Sequence, residues 1–201
     1  MSRFFSFVVI AFAAIAFLGF VESSDAAPIA YTATLNGPSE SPPTASPGTG
    51  SAEVNFDISA HTMEVIVSFS GLSGLAIASN IQGPTPSPGT GAAGAITTLP
   101  AFPVGVTSGA YDVTFDTLLS STYTSTFEAT FGGTPAGAEA ALAASLAAGV
   151  AYLNIDTVLY PGGEIRGFLT AATQSVPEPG ILILLGLSIA SLAGLKRRWK
   201  S

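Results

Sequence analysis

Between residues 27 and 175 the chain carries ten carboxylates, one histidine (His61), one cationic side chain (Arg166) and no cysteine. Hydrolytic chemistry needs groups that act together: a base beside a Ser or Cys nucleophile, or two carboxylates flanking a scissile glycosidic bond. With one imidazole and no thiol, neither a Ser-His-Asp nor a Cys-His arrangement assembles unless His61 serves, and His61 stands in a short turn where a histidine is ordinarily solvated. The carboxylates are spread singly along the polar faces of strand-like runs, the usual place of a solvated charge. The sequence therefore assigns no catalytic residue. The enzyme reading that survives is a hydrolase working with a carboxylate pair.

Arg166 lies in "YPGGEIRGFL", two residues after Glu164 and among glycines. Residues two apart in a strand share a face at a backbone spacing of about 6.6 Å, so Glu164 and Arg166 are expected to form a structural ion pair. The glycines at 162, 163 and 167 leave room for the guanidinium fork and allow a bulge. The rival role for Arg166 is to bind a ligand, holding an acidic sugar on an otherwise acidic face.

The elements that position these groups read as β. "SAEVNFDIS" turns Ala52, Val54, Phe56 and Ile58 to one side, and "TMEVIVSFSGL" does the same with Met63, Val65, Val67 and Phe69. The tight link at residues 60–62 predicts a hairpin. "GAYDVTFDTL" and "STYTSTFEATF" are expected to repeat it, with Tyr111, Val113, Phe115 and then Tyr123, Phe127, Phe131 inward. Adding "IAYTATLNG", "GVAYLNIDTVLY" and "GEIRGFLTAA" gives at least seven strands, hence an all-β, antiparallel two-layer β-sandwich. One short α-helix interrupts it, with Thr134 as N-cap, Pro135 at its first position, Leu142 and Leu146 inward, and Gly149 as the stop. Two Pro/Gly/Ser/Thr stretches, from Gly37 and from Gln82, both contain "SPGTG"; they read as two loops sharing turn residues, with an internal repeat as the alternative.

The ends carry addresses. Residues 1–26, one Arg and then an apolar run closing in "ESSDA", form a secretory signal peptide cut after Ala26; an uncleaved anchor is the alternative. Residues 180–195 are apolar apart from two serines and would make a helix about 24 Å long, short of the ~30 Å hydrocarbon core. Snorkelling of Lys196 and Arg197, with Trp199 at the interface, makes up the difference and places the basic end in the cytoplasm. The mature domain, residues 27–175, has ten acids against one cation, a net charge of about −9, so nucleic acid and anionic lipid are not expected partners.

"VPEPG", the apolar helix and the basic tail together resemble the PEP-CTERM sorting signal of Gram-negative bacteria that make extracellular polysaccharide. Val176, Pro177, Glu178 and Pro179 match the motif, and Lys196, Arg197, Arg198 and Lys200 the basic tail of the signal, residues 176–201. The resemblance implies export, a transient inner-membrane anchor, and release to the cell surface or matrix after reading by an exosortase. It also implies extracellular polysaccharide as a neighbour and partner. A second resemblance covers residues 30–169. "YTATLNGPSESPP", "VSFSGLSG" and "AYLNIDTVLYPGGEIRGFL" look like the CHRD domain, first named in the animal protein chordin, with "ESPP" and "YPGGEIRG" its most specific parts. The resemblance implies an extracellular binding or structural module, and since the sequence shows no catalytic constellation a non-enzymatic one is expected. Where that family commonly has histidines, this chain has Asn80, Gln82 and Asp156. Zn and Cu sites favour His and Cys, and Ca²⁺ needs six or more oxygens in a compact loop, so no metal and no other cofactor is expected.

Overall fold

The computed structural model describes residues 27–172. The signal segment and the tail, with Val176, Pro177, Glu178, Pro179, Lys196, Arg197, Arg198 and Lys200, lie outside the described residues, and so do the cleavage and membrane expectations placed on them. Among the described residues no helix is long and apolar enough to cross a membrane.

The strands are β1 (Ile29–Asn36), β2 (Thr49–Asp57), β3 (Thr62–Ser70), β4 (Ala76–Gln82), β5 (Ala95–Thr98), β6 (Gly109–Asp116), β7 (Tyr152–Thr157), β8 (Ile165–Phe168) and β9 (Thr170–Ala171). Hydrogen bonds link them in the order β5-β4-β7-β8-β1-β2-β3-β6, with β9 on β1, and every pairing is antiparallel. Alternation dictates which face turns inward. Tyr31, Ala33 and Leu35, Ala52, Val54 and Phe56, and Met63, Val65, Val67 and Phe69 are buried, and they join Ile81, Leu153, Ile155 and Ile165 from the other half in one cluster. Full burial of each Val, Leu, Ile, Phe or Met among them is worth about 1.5–3 kcal/mol, so the shared inner face is what holds the sandwich-like arrangement together.

The β2–β3 hairpin forms in the expected register, from Thr49 opposite Ser70 to Asp57 opposite Thr62. Ile58, expected inward, lies in the turn after β2 and is 47 % exposed. The strand expected over residues 121–131 is instead a helix, α1 (Ser125–Thr130), capped by the Thr124 hydroxyl, which accepts from the Phe127 N–H. Tyr123, Phe127 and Phe131 do share a face, but at the four-residue period of a helix: consecutive rings lie 6.2 and 4.6 Å apart. The second helix, α2 (Pro135–Ala147), has the expected cap, the Thr134 hydroxyl accepting from the Gly137 N–H, and buries Leu142 and Leu146. Two strands carried no clear alternation in sequence. β4 has a register shift between Ala76 and Ala78 that turns Ile77 to solvent, and β5 pairs only with the end of β4.

Candidate functional site

The outer face of β4, β7 and β8 collects the polar residues that the sequence made conspicuous. Register sets Asn80 opposite Asn154, Asn154 opposite Arg166, and Arg166 opposite Asn36. The two Pro/Gly loops, residues 37–48 and 83–94, close over this face, and Arg166 fastens both. Its Nε–H donates to the Ser39 carbonyl at 2.5 Å and an Nη1–H to the Gly91 carbonyl at 2.9 Å. The guanidinium carbon stands 4.7 Å from the Tyr152 ring centroid and 5.5 Å from that of Phe168, two rings that touch each other at 5.2 Å, so the charge rests against an aromatic pair and is 4 % exposed. A planar fork with fixed donors can bond two loops while lying on rings, which an ammonium cannot do.

The pair expected between Glu164 and Arg166 is not the pair that forms. Glu164 is fully buried and takes four hydrogen bonds: from Ser46 Oγ at 2.5 Å, the Ser73 N–H at 2.5 Å, the Gly74 N–H at 3.0 Å and Thr157 Oγ1 at 2.7 Å. Its backbone carbonyl accepts from Thr44 Oγ1 at 2.8 Å. The carboxylate nearest Arg166 is Glu40, whose Oε2 lies 3.7 Å from Nε. The physical reason is local: Glu164 precedes β8, in the turn made by Gly163 at φ +128°, so the two-residue strand rule does not reach it.

Glu40 belongs to "ESPP" and Arg166 to "YPGGEIRG", so the two most distinctive stretches of the sequence meet here. Two of the glycines are fixed by close approach. A Cβ on Gly163 would stand 2.5 Å from Asn154 Oδ1 and 2.7 Å from Glu40 Oε1, and one on Gly167 would overlap the Thr34 carbonyl oxygen. The electrostatics of the two carboxylates diverge. Burial raises the Glu40 carboxyl to about 7; Arg166 and the Ser41 N–H oppose this, and Asp156 adds to it. For Glu164 burial pushes upward too, but the bonds from Ser46, Thr157, Ser73 and Gly74 outweigh it and hold the carboxyl below its usual range.

Asn80, Gln82 and Asp156 come together beside this pair and saturate one another. Asn80 Nδ2 donates to Asp156 Oδ2 at 3.3 Å, Gln82 Nε2 to Asn80 Oδ1 at 2.7 Å, and Asn154 Nδ2 to Asp156 Oδ1 at 2.5 Å, while the Tyr152 hydroxyl donates to Gln82 Oε1. Burial raises the Asp156 carboxyl, and the Asn154 and Asn80 amides moderate the rise. Among the described residues no group of three or more His, Cys, Asp or Glu side chains could hold a metal ion. His61 is not free in its turn: Nδ1 lies 3.0 Å from both oxygens of buried Glu139 on α2, which also accepts from the Thr117 hydroxyl.

A trough of about 440 Å³ crosses the outer face of β9, β1, β2 and β3. Register builds it from two rungs, Thr34–Ser51–Ser68 and Thr170–Thr32–Glu53–Ile66, with Phe168 at its edge. The Ser51 and Ser68 hydroxyls are 2.9 Å apart. The sequence reading passed over this surface, although its signal was present: the outward positions of three adjacent strands are small hydroxyl residues where charged ones are commoner.

An antiparallel sandwich-like fold, whose two marker motifs meet in one buried polar cluster, defines the class, and comparison gives the family. The CHRD domain model matches residues 31–169 and the PEP-CTERM protein-sorting motif residues 175–198. The chain belongs to the CHRD domain family and carries an exosortase-type sorting signal. Neither the curated proteins nor the solved structures offer a match to it.

Proposed function

We propose that the domain of residues 27–175 acts outside the cell as a non-enzymatic binding module for extracellular polysaccharide, delivered by an exosortase after a transient stay in the inner membrane. The observation that carries this reading is the hydroxyl-lined trough. Five Thr and Ser side chains on strands about 4.8 Å apart present alternating donors and acceptors to a hydroxylated chain, and Phe168 offers an apolar edge to a sugar ring. A net charge of about −9 on the domain favours a neutral polymer over an acidic one.

The test is binding of the purified full chain to neutral polysaccharides and to the producer's own exopolysaccharide, with Thr34→Val, Ser51→Ala and Ser68→Ala combined. These positions face outward, so the melting temperature should hold while affinity falls at least about tenfold, the loss of one or two hydrogen bonds. Equal binding by the variant would remove the trough from the account. Mass spectrometry of surface protein should find a C-terminus between Val176 and Gly180; an intact "KRRWKS" end would mean that the tail stays as an anchor.

A hydrolase remains the second reading on one observation: Glu40, with its carboxyl near 7, has Asp156 for a neighbour. Glu40 is, however, 6 % exposed beneath its own loop, away from the trough. Release of new reducing ends from polysaccharide, abolished by Glu40→Gln, would favour the hydrolase.

A further inference from the structure

Two buried oxygens near Gly163 have no hydrogen-bond donor, Glu40 Oε1 and Asn154 Oδ1. Both side chains are more than nine-tenths buried, at 6 % and 1 % exposure. Their orientations are fixed from elsewhere. Asn154 Nδ2 is committed to Asp156, so the free end of that amide is its carbonyl oxygen. Glu40 Oε2 is the oxygen beside Arg166, so Oε1 is the one left over. Both free oxygens crowd one point, the place a Cβ would take on Gly163, at 2.5 and 2.7 Å, and are therefore no more than about 5 Å apart. Two bare acceptors this near one another and out of water are costly, and a single donor between them removes both costs. A hydrogen on Oε1 supplies that donor and adds no heavy atom against Gly163.

We propose that Glu40 is carried in the folded protein as the neutral acid, its proton donated from Oε1 to Asn154 Oδ1, so that one proton latches the 37–48 loop onto β7 and β8. The raised Glu40 carboxyl, about 7, agrees with this. The charged groups facing Glu40 are Arg166 from β8 and Asp156 from β7; its own loop adds the Ser41 N–H, and the 83–94 loop brings the Gly91 carbonyl and no charged side chain. Arg166 does not require the anion. Its Nε–H is given to Ser39 rather than to Glu40, and its charge rests on two carbonyls and two rings. Above pH 7 the proton leaves, an anionic Oε1 confronts Oδ1, and the latch loosens.

The sign follows from linkage. A carboxyl whose folded value is raised above its unfolded value of 4.5 contributes stability that is full below 4.5 and lost as pH rises through about 7. The experiment is a carbon-13 NMR titration of glutamate carboxyls in the full chain in neutral detergent, with melting temperatures from pH 4.5 to 8.5 for the wild type and Glu40→Gln. The Gln amide mimics the neutral acid and donates permanently to Asn154 Oδ1. The wild type should lose several degrees relative to Glu40→Gln across that window, and one glutamate resonance, absent from the variant, should titrate near 7. A Glu40 resonance titrating near 4.5, or parallel melting curves for the two proteins, would overturn the proposal; because the titration is read on the wild type, the result stands even if the variant does not fold.

Discussion

Glu164 and Glu40 are two buried carboxylates under the same loop, and they meet opposite fates. Glu164 sits where Ser46, Ser73, Gly74 and Thr157 each aim a donor at it, so the anion is better solvated by protein than its burial would predict. Glu40 has an arginine at 3.7 Å that spends its Nε–H on a carbonyl, and one of its oxygens has no donor at all. A nearby positive charge is therefore a weaker determinant of ionisation here than the number of N–H and O–H groups pointed at the carboxyl. The first carboxylate works as a permanent anion that ties the 37–48 loop to β7 and the residues after β3. The second is poised near neutrality.

The largest expected effect breaks the first half of that contrast. In Glu164→Gln an NH₂ group must face two of the four donors, and with no water to turn to, those donors go unmet. A loss of about 3 kcal/mol or more is expected, which in a domain of this size lowers the melting temperature by roughly 6–12 °C. The pH dependence has the opposite sign to that of Glu40. The Glu164 carboxyl is depressed on folding, so its contribution is present above the unfolded value near 4.5 and is lost as pH falls through the lower folded value. Thermal melts below pH 4.5 should therefore steepen for the wild type and flatten for Glu164→Gln. An unchanged acid limb would mean that the four bonds do not favour the anion.

Next in size is Gly163→Ala, which strikes the second carboxylate. The new methyl would need φ near +128° and would press on both Asn154 Oδ1 and Glu40 Oε1, a cost of roughly 1–3 kcal/mol in backbone strain alone. Gly162→Ala is the matched control in the same "PGG", since a Cβ there meets nothing within 4 Å and its stability should stay within about 0.5 kcal/mol of wild type. Equal losses at 162 and 163 would argue that the turn as a whole, rather than the two oxygens, sets the requirement. Urea denaturation midpoints separate these outcomes.

The sequence made much of this legible, and the misses have physical causes. Alternation disclosed β2, β3 and β6 because each buries one face only, and the Thr134–Pro135 start disclosed α2 because capping is local. Residues 121–131 were misread as a strand because β-rich aromatics outweighed their four-residue spacing, which is a helical period. β4 stayed hidden because a register shift interrupts its alternation. The motif pair "ESPP" and "YPGGEIRG" marked the site but not its wiring: Glu40 and Arg166 are far apart in sequence, and only the closure of both Pro/Gly loops onto β8 brings them together. The trough needs three strands in register, and no single stretch displays it.

The smallest expected effect sharpens what holds the Glu40 proton. Burial is the leading cause of the raised carboxyl, Arg166 and the Ser41 N–H oppose it, and Asp156 adds the least. Asp156→Asn removes that charge and keeps an oxygen for the Asn154 amide. The Glu40 titration should then move down by roughly half a pH unit or less, since Asp156 is the smallest of the contributions that set it. Stability at pH 5 should fall by no more than about 1 kcal/mol, because Glu40 is already neutral there and only the long 3.3 Å bond from Asn80 Nδ2 loses its acceptor. A fall of the Glu40 carboxyl to below 5 in Asp156→Asn would show that repulsion between the two carboxylates, rather than the dry contact with Asn154 and Gly163, keeps the proton in place, and the latch would then have to be redrawn around β7.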